Sequence, residues 1–344
     1  MPDSPSKRLR TIDVEPDEHS LIKPGELVDI VEMSPLTLQD RRIYNLLILN
    51  AWDSITEPKE HCIHKRELRG SHNVNDRVME SVERLMGAIA RVQIIRDGKP
   101  ATRRVQLLAL TEEVNDADGL FYYSFHAGLR VIIKQSSQYA RLQKQVLLTL
   151  SSKYALALYE MVQKRGNLKH KFSEEFTVDH FRSLLGVEKE KLREFKNFKL
   201  RAIDPAVLEV NGLGEFGCKV EPVYKGRKVE ALRLSWWAKN LDERKASLQE
   251  LAVSRVGRRA RLRGTVERVV PLPLVLPPVA PSPLPAPGRS GLTDRQTQNF
   301  RRDFPGLDLE WLEREFREWL ADKEAPRDYA AAFYGFMKRK REQG

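Results

Sequence analysis

Between Glu188 and Asn211 the chain carries Arg193, Lys196, Asn197, Lys199 and Arg201. Their spacing puts Arg193, Asn197 and Arg201 on one side of a predicted helix, with Lys196 on its shoulder. Arginine forks onto O6 and N7 of guanine, and asparagine pairs with adenine. Such a side therefore suits base edges in a major groove, each good pair discriminating by roughly 1–3 kcal/mol. Lys189, Lys191 and Lys199 have the charge and reach to hold phosphates, which position a duplex without specifying its sequence. Phe195, Phe198, Ala202, Ala206 and Val210 fall on the opposite side and predict packing against Leu156, Tyr159 and Phe181. A cationic turn, Lys225-Gly226-Arg227-Lys228, lies downstream between two strand-like runs. The alternative is a basic helix face that meets only solvent.

Other chemistry is poorly supplied. His61 and His64 have an i, i+3 spacing around Cys62, but no Cys or His cluster adds further metal ligands, so polar loop histidines are expected there. Cys62 and Cys218 are too few and too scattered for a disulfide framework, which suits a reducing compartment. His-x-His, which a nicking site would need near an attacking tyrosine, is absent. The carboxylates Glu174-Glu175 sit in a charged stretch, and no glycine-rich phosphate loop is present. No catalytic residue, cofactor or metal is expected, and the chain is not expected to be an enzyme.

The elements that must position the cationic helix occur in order. An apolar helix (SSKYALALYEMVQKRG) comes first, then a short helix and turn (TVDHFRSLLG), the basic helix from Glu188, and a hairpin (FGCKVEPVYKGRKVEALRLSWW). Helix, helix, recognition helix and hairpin spell a winged helix-turn-helix. About 115 residues earlier a similar pattern runs from Leu36 to Phe125, so the repeat lies in pattern rather than in letters. There the recognition-helix equivalent, Asn75 to Arg91, offers Arg77, Ser81 and Arg84 among Asp76, Glu80 and Glu83. Arg96, Lys99, Arg103 and Arg104 flank its hairpin turn. That first half is expected to bind DNA more weakly, through phosphates, or to serve dimerisation.

The expected fold is α+β, two tandem winged-helix domains with pseudo-twofold repeat, joined through roughly Leu129 to Thr149. A flexible arm over residues 1–26 precedes domain 1 (27–135) and domain 2 (136–240). A basic and proline-rich linker (241–290, with PLPLVLPPVAPSPLPAP inside it) leads to a small helical module (291–344). The module's aromatics, Trp319, Tyr329 and Tyr334 among them, suit either a three-helix core or base stacking beside Lys338 to Arg341. A net charge of +11 over 344 residues favours a polyanionic partner. No apolar run reaches the roughly 18 residues of a spanning helix, and the start, MPDSPSKRLR, lacks a signal-peptide core. A cytoplasmic, plasmid- or nucleoid-associated protein without a membrane partner is expected.

With these residues in place, the chain resembles the plasmid replication initiator (Rep) proteins that bind iterons. The resemblance rests on SKYALALYEM (Ser152 to Met161), FRSLLGV (Phe181 to Val187) and FKNFKLRAIDPAVLEVN (Phe195 to Asn211). In the last phrase Ile203, Pro205, Ala206, Glu209, Val210 and Asn211 occupy the places of the family's L-x-P-A-x-x-E-I-N. It covers roughly Leu27 to Trp237, loosely in the first half. It implies binding of both domains to repeated origin sites, with DNA contacts from Arg193 to Arg201. It also implies opening of an AT-rich segment, recruitment of the host initiator ATPase and replicative helicase, and monomers for initiation. Dimers would repress the protein's own promoter and so bear on plasmid copy number. The terminal module loosely resembles the C-terminal segments of primosomal and helicase-loading proteins, which adds single-stranded DNA as a candidate partner. The rival reading is a winged-helix transcriptional repressor without an initiation role.

Overall fold

A computed structural model describes residues 10–69, 75–114, 119–168, 170–266, 292–304, 308–320, 323, 326 and 328–343. The chain divides into two compact units, Met1–Arg268 and Val269–Gly344. The proline run 271–287 and the turn at residues 71–73 lie outside the described residues.

The first unit opens with β1 (Ser20–Pro24), α1 (Gly25–Val28) and β2 (Val31–Glu32), followed by α2 (Leu38–Asn50). Thr37 caps α2 reciprocally with Asp40, which satisfies donors that a helix start leaves open. Next come β3 (His61–His64), α3 (Lys65–Arg69), α4 (Asn75–Gly87), and strands β4 (Ile89–Arg96), β5 (Lys99–Gln106), β6 (Leu108–Glu113) and β7 (Leu120–Phe125). A joint of α5 (Ala127–Gln135), β8 (Tyr139–Gln143) and α6 (Lys144–Thr149) leads to α7 (Lys153–Gly166), β9 (Ser173–Thr177) and α8 (Val178–Leu184). The long helix that follows has three parts: α9 (Phe195–Phe198), a π turn (Lys199–Ile203) and α10 (Asp204–Leu213). The hairpin β10 (Phe216–Lys225) and β11 (Lys228–Ala238) completes the second winged helix.

The two halves share a topology, which gives two winged helices in tandem. Sheet order is β3-β7-β6 in the first and β9-β11-β10 in the second, so the last strand is central in both. Sequence spacing made β4 and β5 the wing of the first half. The structure instead pairs them with β2 in a separate sheet, and β6–β7 holds the wing position. Asp97 and Gly98, both at positive φ, close the β4–β5 hairpin as a two-residue loop of the I′ kind.

The expected arm is partly built into the fold. Residues 1–9 lie outside the described residues, but β1 pairs along its whole length with β8. Successive strand residues point to opposite faces, and Leu21 enters the core of the second half while Ile22 enters that of the first. α1 repeats this division, with Leu27 in one core and Val28 in the other. Between the halves, Glu160 of α7 accepts from Lys23 Nζ at 2.8 Å and from Asn45 Nδ2 at 2.7 Å, all three buried. Arg42 of α2 donates to the carbonyls of Leu147, Leu148 and Leu150 at the end of α6.

The body also extends past the expected linker start. α11 (Leu241–Ala252) and α12 (Arg258–Leu262) pack on α10. Arg258 is buried against Glu250 at 3.2 Å, and Arg255 and Arg258 donate to the carbonyls of Leu148 and Thr149. A Cβ at Gly212 would stand 2.4 Å from Leu262 Cδ2, so α12 approaches α10 over a missing side chain. The basic composition of this segment concealed its pairing with the acidic α11.

The second unit comprises α13 (Asp294–Asp303), α14 (Leu309–Leu320) and α15 (Tyr329–Gln343). Phe300, Phe304, Phe316, Phe333 and Phe336 form its core, so most of its aromatics serve packing. Trp311 and Trp319 stay 53% and 41% exposed, and Lys323 and Arg339 lie over the Trp319 ring.

Replacing Glu160 with Leu strands the Lys23 ammonium in the interior, which typically costs about 3–5 kcal/mol. Urea unfolding should report a loss of that order, and Lys23→Met combined with Glu160→Leu should recover much of it. An unchanged midpoint in the single variant would show that the triad does not hold the halves together.

Candidate nucleic-acid interface

The cationic helix begins at Phe195, not at Glu188. Residues 188–194 form a turn in which Leu192 adopts φ +54°, preceded by Gly186 at φ +70°. Arg182 of α8 fixes this turn: its guanidinium donates to the carbonyls of Lys191 and Leu192 and lies 5.0 Å from the Phe198 ring centroid. Arg193 therefore precedes the helix that was expected to carry it. It is exposed and ion-paired with Glu190.

Within the helix, Phe198, Ala202, Ala206 and Val210 are buried in the second core, as the apolar spacing predicts; Phe195 packs there only partly, and Ile203 joins them. Lys196, Leu200 and Arg201 are the exposed residues of its first two turns. Asn197 is half-buried and donates to Glu194 at 3.0 Å, and Lys199 pairs with Asp204 at 2.6 Å. The π turn has a local cause. Pro205 lacks an N–H and its ring crowds the carbonyl four residues back, so a wider turn at Lys199–Ile203 avoids the clash.

The wing is a two-residue hairpin with Gly226 at φ +62° as its first loop residue, the position where a II′ turn requires positive φ. Lys225, Arg227 and Lys228 are exposed at its tip, Lys225 lying 3.4 Å from Glu230. Wing and helix share a cleft of about 840 Å³, lined by Thr177, Asp179, Phe195, Lys225, Arg227 and Lys228 among others. The wing cations and the start of the helix thus bound one concave surface, in which Lys225, Arg227 and Lys228 meet Asp179 and Glu230, while Lys196 and Arg201 project from the helix itself.

The first half presents a different face. Ser81 is fully buried and accepts from Arg84, so it cannot reach a ligand. Arg84 donates to both oxygens of Asp40 at 3.0 Å, holding α4 against α2. Burial opposes ionisation of Asp40, but hydrogen bonds from Arg84, Thr37 and Ser81 outweigh it and keep the carboxyl below its ordinary range. Arg103 is half-buried with a carbonyl partner, Gly128, at 3.3 Å, whereas Arg104 is exposed on β5. The side chain of Arg77 lies outside the described residues.

The histidine pair is on a strand rather than in the expected polar loop. His61 points into the core against Tyr123, and His64, three residues on, takes the opposite face. Among the described residues no group of three potential ligands could hold a metal. Among the described residues no helix is long and apolar enough to cross a membrane.

Three residues acquire roles that spacing did not predict. Arg182 pins the turn. Asn211 clamps the wing to the helix, accepting from Cys218 N at 2.7 Å and donating to Cys218 O at 2.9 Å. Glu209, also buried, accepts from the backbone N–H of Ser151 at 2.7 Å and so ties α10 to the start of α7. The only sequence signal for the last two was their place in the phrase FKNFKLRAIDPAVLEVN.

Residues 22–163 match the family model described as initiator replication protein, WH1, and residues 177–236 that described as initiator Rep protein, WH2. A crystal structure of the Pi initiator protein in complex with iteron DNA aligns over 65% of this chain and 98% of that one, at 15% identity and a TM-score of 0.45. A structure of RctB domains 2–3 aligns over 67% and 95%, at 11% identity and 0.36. No curated protein sequence matches.

Arg182→Met should destabilise the second winged helix by about 1–3 kcal/mol, since two carbonyls lose a charged donor. Amide exchange should accelerate at 188–194 before it does elsewhere; uniform acceleration would deny Arg182 its local role. Because folding lowers the Asp40 pKa, its contribution is complete above the ordinary 3.8 and lost as pH falls through the lowered value. Between pH 6 and pH 3, Asp40→Asn should therefore lose less stability than the parent chain, which paired thermal scans would check.

Proposed function

The chain belongs to the initiator Rep protein family, and we propose that it starts plasmid replication by binding repeated duplex sites at an origin. One observation carries the reading. An exposed cationic helix face, Lys196 and Arg201 outermost, stands beside a wing bearing Lys225, Arg227 and Lys228. That pairing of helix and wing suits insertion of the helix into a major groove while the wing grips backbone. Arg201 and Asn197 are the candidates for base edges, and Lys196, Lys199 and the wing for phosphates. Asn197 and Lys199 would exchange their carboxylate partners, Glu194 and Asp204, for DNA. Arg193 would contact backbone from the preceding turn rather than bases.

In domain 1, Arg104 and the tip of the β4–β5 hairpin are the candidates for weaker phosphate contacts. Recognition would then lead to opening of an AT-rich segment and recruitment of the host initiator ATPase and helicase. A dimeric form would repress the protein's own promoter. Residues 292–344 of the second unit would serve recruitment, since that unit builds its own core.

Footprinting on DNA beside the protein's own gene would locate the site. Affinity for it should fall steeply with salt, the log–log slope decreasing by about 0.9 for each phosphate contact removed, as in Lys228→Ala. Arg201→Ala should instead narrow the gap between specific and random duplexes. A salt-independent affinity, or equal affinity for random DNA, would refute the reading. Deleting 292–344 should leave duplex binding intact and impair replication of a plasmid carrying the origin.

A further inference from the structure

The outermost line of the cationic helix carries an apolar residue. Leu200 is 61% exposed and lies outside every hydrophobic cluster of the fold. It stands one turn from Lys196 and next to Arg201, both exposed, and faces away from Phe198, which is fully buried. Lys199 is drawn aside to Asp204, so it does not cover Leu200. Two residues beyond Phe198, Leu200 lies about 200° round the helix from the core, on its outward side.

An exposed leucine among cations is poorly suited to a protein partner, which would have to match one apolar group inside a ring of positive charge. Duplex DNA answers both demands. Its phosphates meet the lysines and arginine, and its major groove offers one apolar group, the 5-methyl of thymine. We propose that Leu200 is a specificity-determining residue that reads a thymine methyl in the bound site. This rests on the function proposed above and names one base it selects. Burying one methyl between the leucine and the groove corresponds to about a fourfold change in affinity.

Replacing each thymine of the footprinted site singly by deoxyuridine removes that methyl and leaves pairing unchanged. The full chain should lose about fourfold in affinity at one position or two adjacent ones. Leu200→Ala, at an exposed position that leaves the core untouched, should bind with affinity lowered by a similar factor and become indifferent to uracil there. It should keep the parent's sensitivity to changes at guanine and adenine positions. If the parent binds specifically but no uracil weakens it, or if Leu200→Ala remains equally sensitive at that position, the inference fails and the parent reading stands. If the parent shows no specific duplex binding at all, both fall together.

Discussion

Everything in the body leans on a single buried carboxylate. Glu160 sits on the first helix of the second winged helix and is held by a lysine from the N-terminal strand and an asparagine from the first helix of the other half. Taking three polar groups out of water is costly unless each finds its partner. The arrangement is therefore geometrically demanding: it tolerates one relative placement of α2 and α7 and penalises others. The strand β1 works to the same end by sending Leu21 and Ile22 into different cores. The two halves thus have separate interiors and a common rigid seam, and a duplex bound along them would meet surfaces in fixed register.

That seam was invisible in the sequence, for a physical reason. Periodicity reports which side of an element faces a core, not which core, and β1 has apolar neighbours on both faces. A short strand buried on both sides reads as an apolar fragment beside an acidic, proline-containing stretch. The segment after the wing was obscured differently. Charge-rich composition suggests solvent exposure, yet Glu250 gathers Arg258 and Arg261 into a compact, partly buried cluster. Ser81 shows the same weakness at the scale of one side chain: a polar residue on a predicted exposed face turned inward to meet Arg84.

The second winged helix was far more legible. Its apolar helix, its turn, the inner face of its long helix and its glycine-tipped wing all follow from spacing and turn chemistry. Two details escaped. The helix starts seven residues later than its charged composition suggests, because Arg182 holds the preceding segment in a turn. Its middle widens into a π turn ahead of Pro205, which periodicity cannot register. The late start moves Arg193 off the helix, while Leu200 stands exposed on its outward side.

The carbonyl end of the short helix α6 links these themes. Guanidinium groups reach it from two directions, Arg42 from the first half and Arg255 and Arg258 from beyond the wing. The residues after the last strand therefore reach back to the joint between the halves, some hundred positions earlier in the chain. A fragment trimmed to the paired winged helices would shed two of the three clasps along with the leucine that fills the notch at Gly212. Dissection of this protein should therefore cut beyond residue 264; a shorter piece would be a loosened variant rather than a minimal core.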